Sequence, residues 1–230
     1  MHYFGGKSRI AKQIVSVLKD NLENTKYFFE PFVGGANIVI LMGGKRYASD
    51  KNEYIIETYK AIQDGWIPPK NISKEEYDYV KNNKDENKAL TGFVGIGCSY
   101  AGKWFNGYAR NSRGDNYCLQ TYNSLLKKKE LFQTVKFNGI DYRNTNPKNA
   151  LIYCDPPYSN TTKYSATGDF DSQEFWNIVR EWSKTNKVFI SEYTAPDDFK
   201  CVLEIPTKLE IRNGNNVREP RIEKLFTLKK

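Results

Sequence analysis

The residues best suited to chemistry are Asp155-Pro156-Pro157-Tyr158, which follow the apolar run Ala150-Leu151-Ile152-Tyr153-Cys154. Proline cannot extend a central ladder, so the run predicts a buried strand that ends abruptly and delivers Asp155 to its carboxyl end. In open α/β sheets, ligands bind just beyond that end. The prolines add rigidity and leave carbonyls with no local N–H competitor, so a carboxylate and a carbonyl stand as preorganised acceptors where charge develops. Tyr158 adds a face on which a flat ligand can stack. The same four residues also suit a plain turn closing a strand.

Other elements must bring partners to that acid. Ser8 is placed to cap a helix whose Ile10, Ile14, Val17 and Leu18 share one face, which leaves Phe4-Gly5-Gly6-Lys7 in the loop before it. Glycines there let the backbone approach a ligand, and a lysine beside a helix start favours an anionic group; a solvated loop with a surface lysine is the simpler reading. Tyr27-Phe28-Phe29 predicts a short buried strand, followed by Glu30-Pro31-Phe32-Val33-Gly34-Gly35-Ala36-Asn37 and a helical run from Ile38 to Met42. Strand, glycine turn and helix form the first unit of a doubly wound sheet, although no GxGxxG dinucleotide fingerprint is present. Arg46-Tyr47-Ala48-Ser49 predicts the next strand, ending at Asp50. An acid at that place can accept from ribose hydroxyls, or Asp50-Lys51-Asn52-Glu53 can cap a helix carrying Ile55, Tyr59 and Ile62.

Pro68 and Pro69 break this pattern. Ser73-x-x-Glu76 reads as a capping box, Leu90, Phe93 and Val94 as a second helix, and Leu119, Tyr122, Leu125 and Leu126 as a third. The expected organisation is a catalytic domain over residues 1–66 and 133–230 with an inserted helical lobe over 67–132. Seven lysines and arginines stand against two acids between residues 100 and 136. Within the lobe, Lys103, Trp104, Asn106, Tyr108, Arg110, Asn111 and Arg113 combine residue types that read base edges, hold phosphates and stack. Alternatively Trp104, Phe105 and Tyr108 are the lobe's own core and the lysines a solvated face. Val135-Lys136-Phe137-Asn138 resumes the sheet, with Asp141 beyond it either near a ligand or in a turn. Asp171-Ser172-Gln173-Glu174 caps a helix with Phe175, Ile178, Val179 and Trp182 inward, and Val188-Phe189-Ile190-Ser191 is the next strand. The tail predicts a final hairpin around Asn213-Gly214, its basic tip facing either polyanion or solvent.

Composition narrows the partners. A net charge of +8 with 14% aromatic residues suits a polyanion more than an acidic or neutral ligand. The four cysteines, Cys98, Cys118, Cys154 and Cys201, form no CxxC pair and His2 is the only histidine, so neither a structural zinc site nor a histidine triad is expected. No signal-peptide core and no apolar run of membrane-spanning length is present, which predicts a cytosolic chain with reduced thiols.

Asp155-Pro156-Pro157-Tyr158 resembles the DPPY motif of amino-methyltransferases, specifically the Dam-type (D12 class, alpha group) DNA adenine N6-methyltransferases. Tyr3 to Lys7 is similar to that family's N-terminal motif, and Phe32-Val33-Gly34-Gly35-Ala36 to its cofactor loop, with Ala36 where the loop usually carries glycine. The resemblance implies a doubly wound Rossmann-like α/β methyltransferase sheet with an inserted target-recognition lobe. It implies S-adenosyl-L-methionine as cofactor, held by Tyr3, Lys7, Glu30, Phe32, Gly34, Asp50 and Asp155, with Lys7 pairing the cofactor carboxylate. Its substrate would be an adenine flipped from double-stranded DNA, with Asp155, Pro156, Pro157 and Tyr158 as the catalytic set and no metal. Asp155 and the Pro156 carbonyl would accept both hydrogens of the N6 amine, whose lone pair is otherwise delocalised, and Tyr158 would stack on the base. A paired restriction endonuclease and a cytoplasmic setting, in a bacterial cell or a virus-infected bacterial host, go with that family. Cytosine N4, RNA or protein-amide methylation, or a DNA-binding regulator on a dead site, are the competing functions.

Overall fold

A computed structural model describes residues 1, 3–157, 170–208 and 220–229. Tyr158, the following polar loop to Asp169 and the hairpin tip at 209–219 lie outside the described residues, so the roles expected of Tyr158 and of that tip are not addressed by it. Among the described residues, seven strands form one sheet in the order β3-β2-β1-β4-β5-β7-β6: β1 (Tyr27–Glu30), β2 (Arg46–Ser49), β3 (Val135–Asn138), β4 (Ala150–Cys154), β5 (Lys187–Glu192), β6 (Phe199–Lys208) and β7 (Pro220–Leu228). β1 to β5 run parallel, and β7 lies antiparallel between β5 and β6. This is a doubly wound, Rossmann-like α/β fold whose last hairpin was correctly foreshadowed by the turn signal in the tail.

Burial of both faces explains the continuous apolar strands. All five residues of β4 are buried. Leu151 and Tyr153 join one core cluster, with Ile14 and Leu18 of α1 (Ala11–Lys19) and Ile55, Tyr59 and Ile62 of α2 (Glu53–Gln63). Ile152 and Cys154 join a second, with Phe175, Trp176, Val179 and Trp182 of α7 (Ser172–Ser183), which Asp171 caps by accepting from Gln173 and Glu174 N–H.

Between α2 and β3 come α3 (Lys74–Asn82), α4 (Lys88–Gly97), α5 (Tyr117–Leu126) and α6 (Lys129–Phe132). Ser73 and Glu76 form the expected capping box of α3. These helices do not build a separate core: Phe93, Ile96, Cys98 and Phe105 belong to the same cluster as α2 and β4. Helix α4 is buried from Thr91 to Gly97 and is packed through its glycines. A Cβ on Gly92 would lie 2.1 Å from the Tyr54 carbonyl oxygen of α2, a backbone atom that cannot step aside. Gly92→Ala is therefore expected to cost about 3 kcal/mol through overpacking, read as a lower urea midpoint at unchanged slope; an unchanged midpoint would contradict this packing.

Three local expectations are corrected. Ser8 does not cap α1: Ile10 occupies the cap without a side-chain bond, and its N–H donates to the Lys7 carbonyl in the preceding turn. The run from Ile38 to Met42 yields only a 3-10 turn, Val39–Leu41, because Gly43 and Gly44 follow at once and the buried Glu30 carboxylate takes the Val39 N–H. On α5 the buried face is Cys118, Thr121 and Leu125, while Leu119 is exposed.

Candidate active site

The strand order reverses between β1 and β4, so the crevice for a ligand opens beyond their carboxyl ends. Acids end three neighbouring strands there: Glu30 in β1, Asp50 after β2 and Asp155 after β4. Their surroundings separate them. Glu30 is buried, which pushes its carboxyl well above the usual range although Oε2 accepts from Val39 N–H at 2.7 Å. Asp50 is also buried and pushed up to about 6, while Oδ2 accepts from Gly34 N–H at 3.0 Å and Oδ1 from Asn52 N–H at 2.9 Å. The helix cap is Asn52, so Asp50 is left to anchor the glycine turn.

Asp155 is different: it is 18% exposed and its Oδ1 lies 2.9 Å from Lys7 Nζ, a lysine only 6% exposed. The loop before α1 and the tip of β4, far apart in the chain, thus meet in one ion pair. Glu223 of β7 reaches the same ammonium at 3.6 Å, and Tyr193, just past β5, donates to Glu223 Oε1 at 3.2 Å. Burial pulls the Lys7 pKa down, but Asp155 and Glu223 more than offset it and leave the amine above its ordinary value. Neither Glu223 nor Tyr193 was singled out from sequence, because nothing local marks an acid in an alternating strand as inward-facing.

The glycine turn is built to hold Tyr3. A Cβ on Gly34 would stand 3.0 Å from the Tyr3 ring and one on Gly35 3.0 Å from Tyr3 Cβ. Gly34 has φ +41° and Ala36 φ +51°, so the alanine adopts the left-handed backbone at a cost of about 1 kcal/mol. Lys128, at the end of α5, holds this conformation by donating to the Gly35 carbonyl at 2.6 Å, the Ala36 carbonyl at 3.3 Å and Asn37 Oδ1 at 2.9 Å. Burial pushes its amine down to about 8, opposed by Glu30. Lys128 is one of the consecutive Lys127, Lys128 and Lys129 that contribute to the lobe's positive charge, and here it supports the turn. Phe32 packs against Tyr142 and Phe175, with ring centroids at 4.8 and 5.7 Å, on the α7 side of the sheet. Asp141 caps a short turn and pairs with Arg143, which holds its carboxyl below the usual range, so the turn reading applies.

Of the lobe residues, Asn106, Arg110, Asn111 and Arg113 are exposed. Asn111 also organises its own turn, accepting from Arg113 and Asp115 N–H. Trp104 and Tyr108 are half-buried: Trp104 stacks on Tyr54 with ring centroids 5.3 Å apart, and Tyr108 donates to the Ile72 carbonyl, so both also contribute to the lobe's packing. Lys103 sits over the Phe4 ring at 4.2 Å, and Phe4 N–H donates to the Gly102 carbonyl at 3.1 Å, so the lobe's loop is stitched to the segment that carries Lys7.

Residues 3–94, which include Tyr3, Lys7, Glu30, Phe32, Gly34 and Asp50, match the D12 class N6 adenine-specific DNA methyltransferase family. Asp155 lies beyond the matched residues. The chain is 26% identical over 209 residues to type II methyltransferase M.FokI of Planomicrobium okeanokoites, covering 79% of this chain and 32% of the relative. It is 28% identical over 219 residues to modification methylase StsI of Streptococcus sanguinis, covering 81% and 32%. It thus spans about a third of the length of the curated relatives it matches. Magnesium protoporphyrin IX methyltransferase from Synechocystis PCC 6803, solved with bound SAM, superposes with a TM-score of 0.40 at 10% identity, over 97% of this chain and 79% of that one.

Proposed function

We propose that this chain is a site-specific DNA methyltransferase that moves a methyl group from S-adenosyl-L-methionine to N6 of an adenine flipped out of double-stranded DNA. The observation that carries the reading is the 2.9 Å pair between Lys7, within the D12-matched segment, and Asp155 at the tip of β4. The residues present fit the cofactor: a glycine turn packed closely on the Tyr3 ring, a buried acid anchoring that turn from β2, and a cation at the crevice. Tyr3, Lys7, Glu30, Phe32, Gly34, Asp50 and Asp155 would hold it. When bound, the cofactor supplies a methyl group activated on a sulfonium.

The remaining work falls to the protein. Asp155 Oδ atoms and the Pro156 carbonyl accept the amine hydrogens, which localises the nitrogen lone pair for in-line attack, a task made mostly of positioning. Tyr158 stacks on the base, whose extrusion is needed because the amine is out of reach in the duplex. Lys103, Asn106, Arg110, Asn111 and Arg113 are the lobe residues assigned to DNA. Pairing with a restriction endonuclease in a bacterial cytoplasm completes the proposal, supported by the names type II methyltransferase and modification methylase carried by its relatives. Among the described residues no helix is long and apolar enough to cross a membrane.

Long-read modification mapping of DNA from cells expressing the chain is expected to show N6-methyladenine at one recurring short sequence. Unmodified DNA, or N4-methylcytosine in its place, would overturn the reading.

A further inference from the structure

We propose that Glu223 is a positioning residue of methyl transfer, a second carboxylate that shares the Lys7 ammonium with Asp155 so that Asp155 can release it and turn to the substrate amine. The inference rests on the function proposed above. Lys7 Nζ lies 2.9 Å from Asp155 and 3.6 Å from Glu223, so a small swing of a flexible side chain moves the cation from one carboxylate to the other. All three groups are largely shielded from water, at 6%, 18% and 16% exposure, where an ion pair is tight and a lone charge is costly.

Glu223 is well placed for this task. β7 is antiparallel to β5 with Glu192 opposite Lys224, which sets Glu223 at the carboxyl edge of the parallel strands. The Tyr193 hydroxyl donates to its Oε1 and so fixes one oxygen, while Oε2 is the atom that faces Lys7. Among the described residues, the groups around Lys7 include Asp155 from the tip of β4, Glu223 from β7, Tyr193 from beyond β5 and the Gly5 carbonyl at 3.2 Å, with Glu30 of β1 acting on Asp155. Without Glu223 the ammonium has Asp155 as its remaining carboxylate partner among these, and an oxygen needed by the amine stays occupied. The cost falls on turnover rather than on substrate binding, because the lost step follows binding.

Glu223→Gln in the full chain tests this with two measurements, and Glu223→Asp serves as the conservative control. NMR titration of the 15N-labelled Lys7 amine is expected to show its pKa lower by about one pH unit in Glu223→Gln and restored in Glu223→Asp. Methylation kinetics are expected to show kcat down about tenfold with the KM for DNA unchanged and the alkaline limb of the pH profile moved down, again restored by aspartate. An unmoved Lys7 titration overturns the shared-cation geometry, and this readout needs no enzymatic activity. A moved titration with wild-type kcat overturns the role in turnover. If the wild-type chain methylates no DNA, the functional reading itself fails, and the role falls with it.

Discussion

Asp155→Ala is expected to lower methyl transfer by about 10³-fold, the loss typical of removing a preorganised group aimed at developing charge. Neither neighbouring acid can stand in. Glu30 and Asp50 are buried and already accept from the Val39, Gly34 and Asn52 N–H groups. The fold is expected to survive, since Lys7 keeps Glu223 within 3.6 Å as a counter-charge. Cofactor affinity by calorimetry should fall far less than turnover, because Asp155 is one of seven residues proposed to hold the cofactor. Asp155→Asn, which keeps one acceptor oxygen, should lie between. Near wild-type turnover in Asp155→Ala would remove this carboxylate from the reaction.

What the sequence exposed and what it hid follow from the range of the forces involved. Strand β4 and its terminal acid were readable because an apolar run cut by two prolines is a local signal, and both faces of β4 are in fact buried. The capping box at Ser73 and the cap at Asp171 were readable for the same reason. The length of the turn after Ile38 was not, because it depends on a carboxylate nine residues upstream claiming the Val39 N–H. Trp104 could have faced DNA or the core. Its packing is set by Tyr54 on α2 and by Gly95 on α4, where a Cβ would stand 2.6 Å from the indole. Lys128 looked like one of three equivalent surface lysines, and only the fold reveals that it reaches back to Gly35, Ala36 and Asn37. Those contacts also explain why alanine serves where glycine is usual. Glu223 became visible only when β7 was set beside β5. In each case the missing term is a contact between residues distant in the chain, which periodicity and propensity do not contain.

Lys7→Met tests the same centre from its cationic side, and its effects should be large in both stability and activity. The substitution leaves Asp155 and Glu223 facing one another across a site without the ammonium they share. Breaking a buried pair by deleting one partner costs about 3 kcal/mol or more, because a desolvated charge loses its nearby counter-charge. Like charges left close together without a counter-ion disfavour joint ionisation, so loss of the cation favours uptake of a proton as pH falls. The sign follows: the stability deficit is full at high pH and shrinks as pH falls and that proton binds. Activity runs the other way, since a protonated Asp155 cannot accept the amine hydrogen, and the acid limb of the rate profile should move to higher pH. Urea denaturation at pH 8 and pH 5, with rates across the same range, separates these effects. A deficit independent of pH, or an acid limb left where the wild type has it, would mean that Lys7 does not govern the ionisation of Asp155.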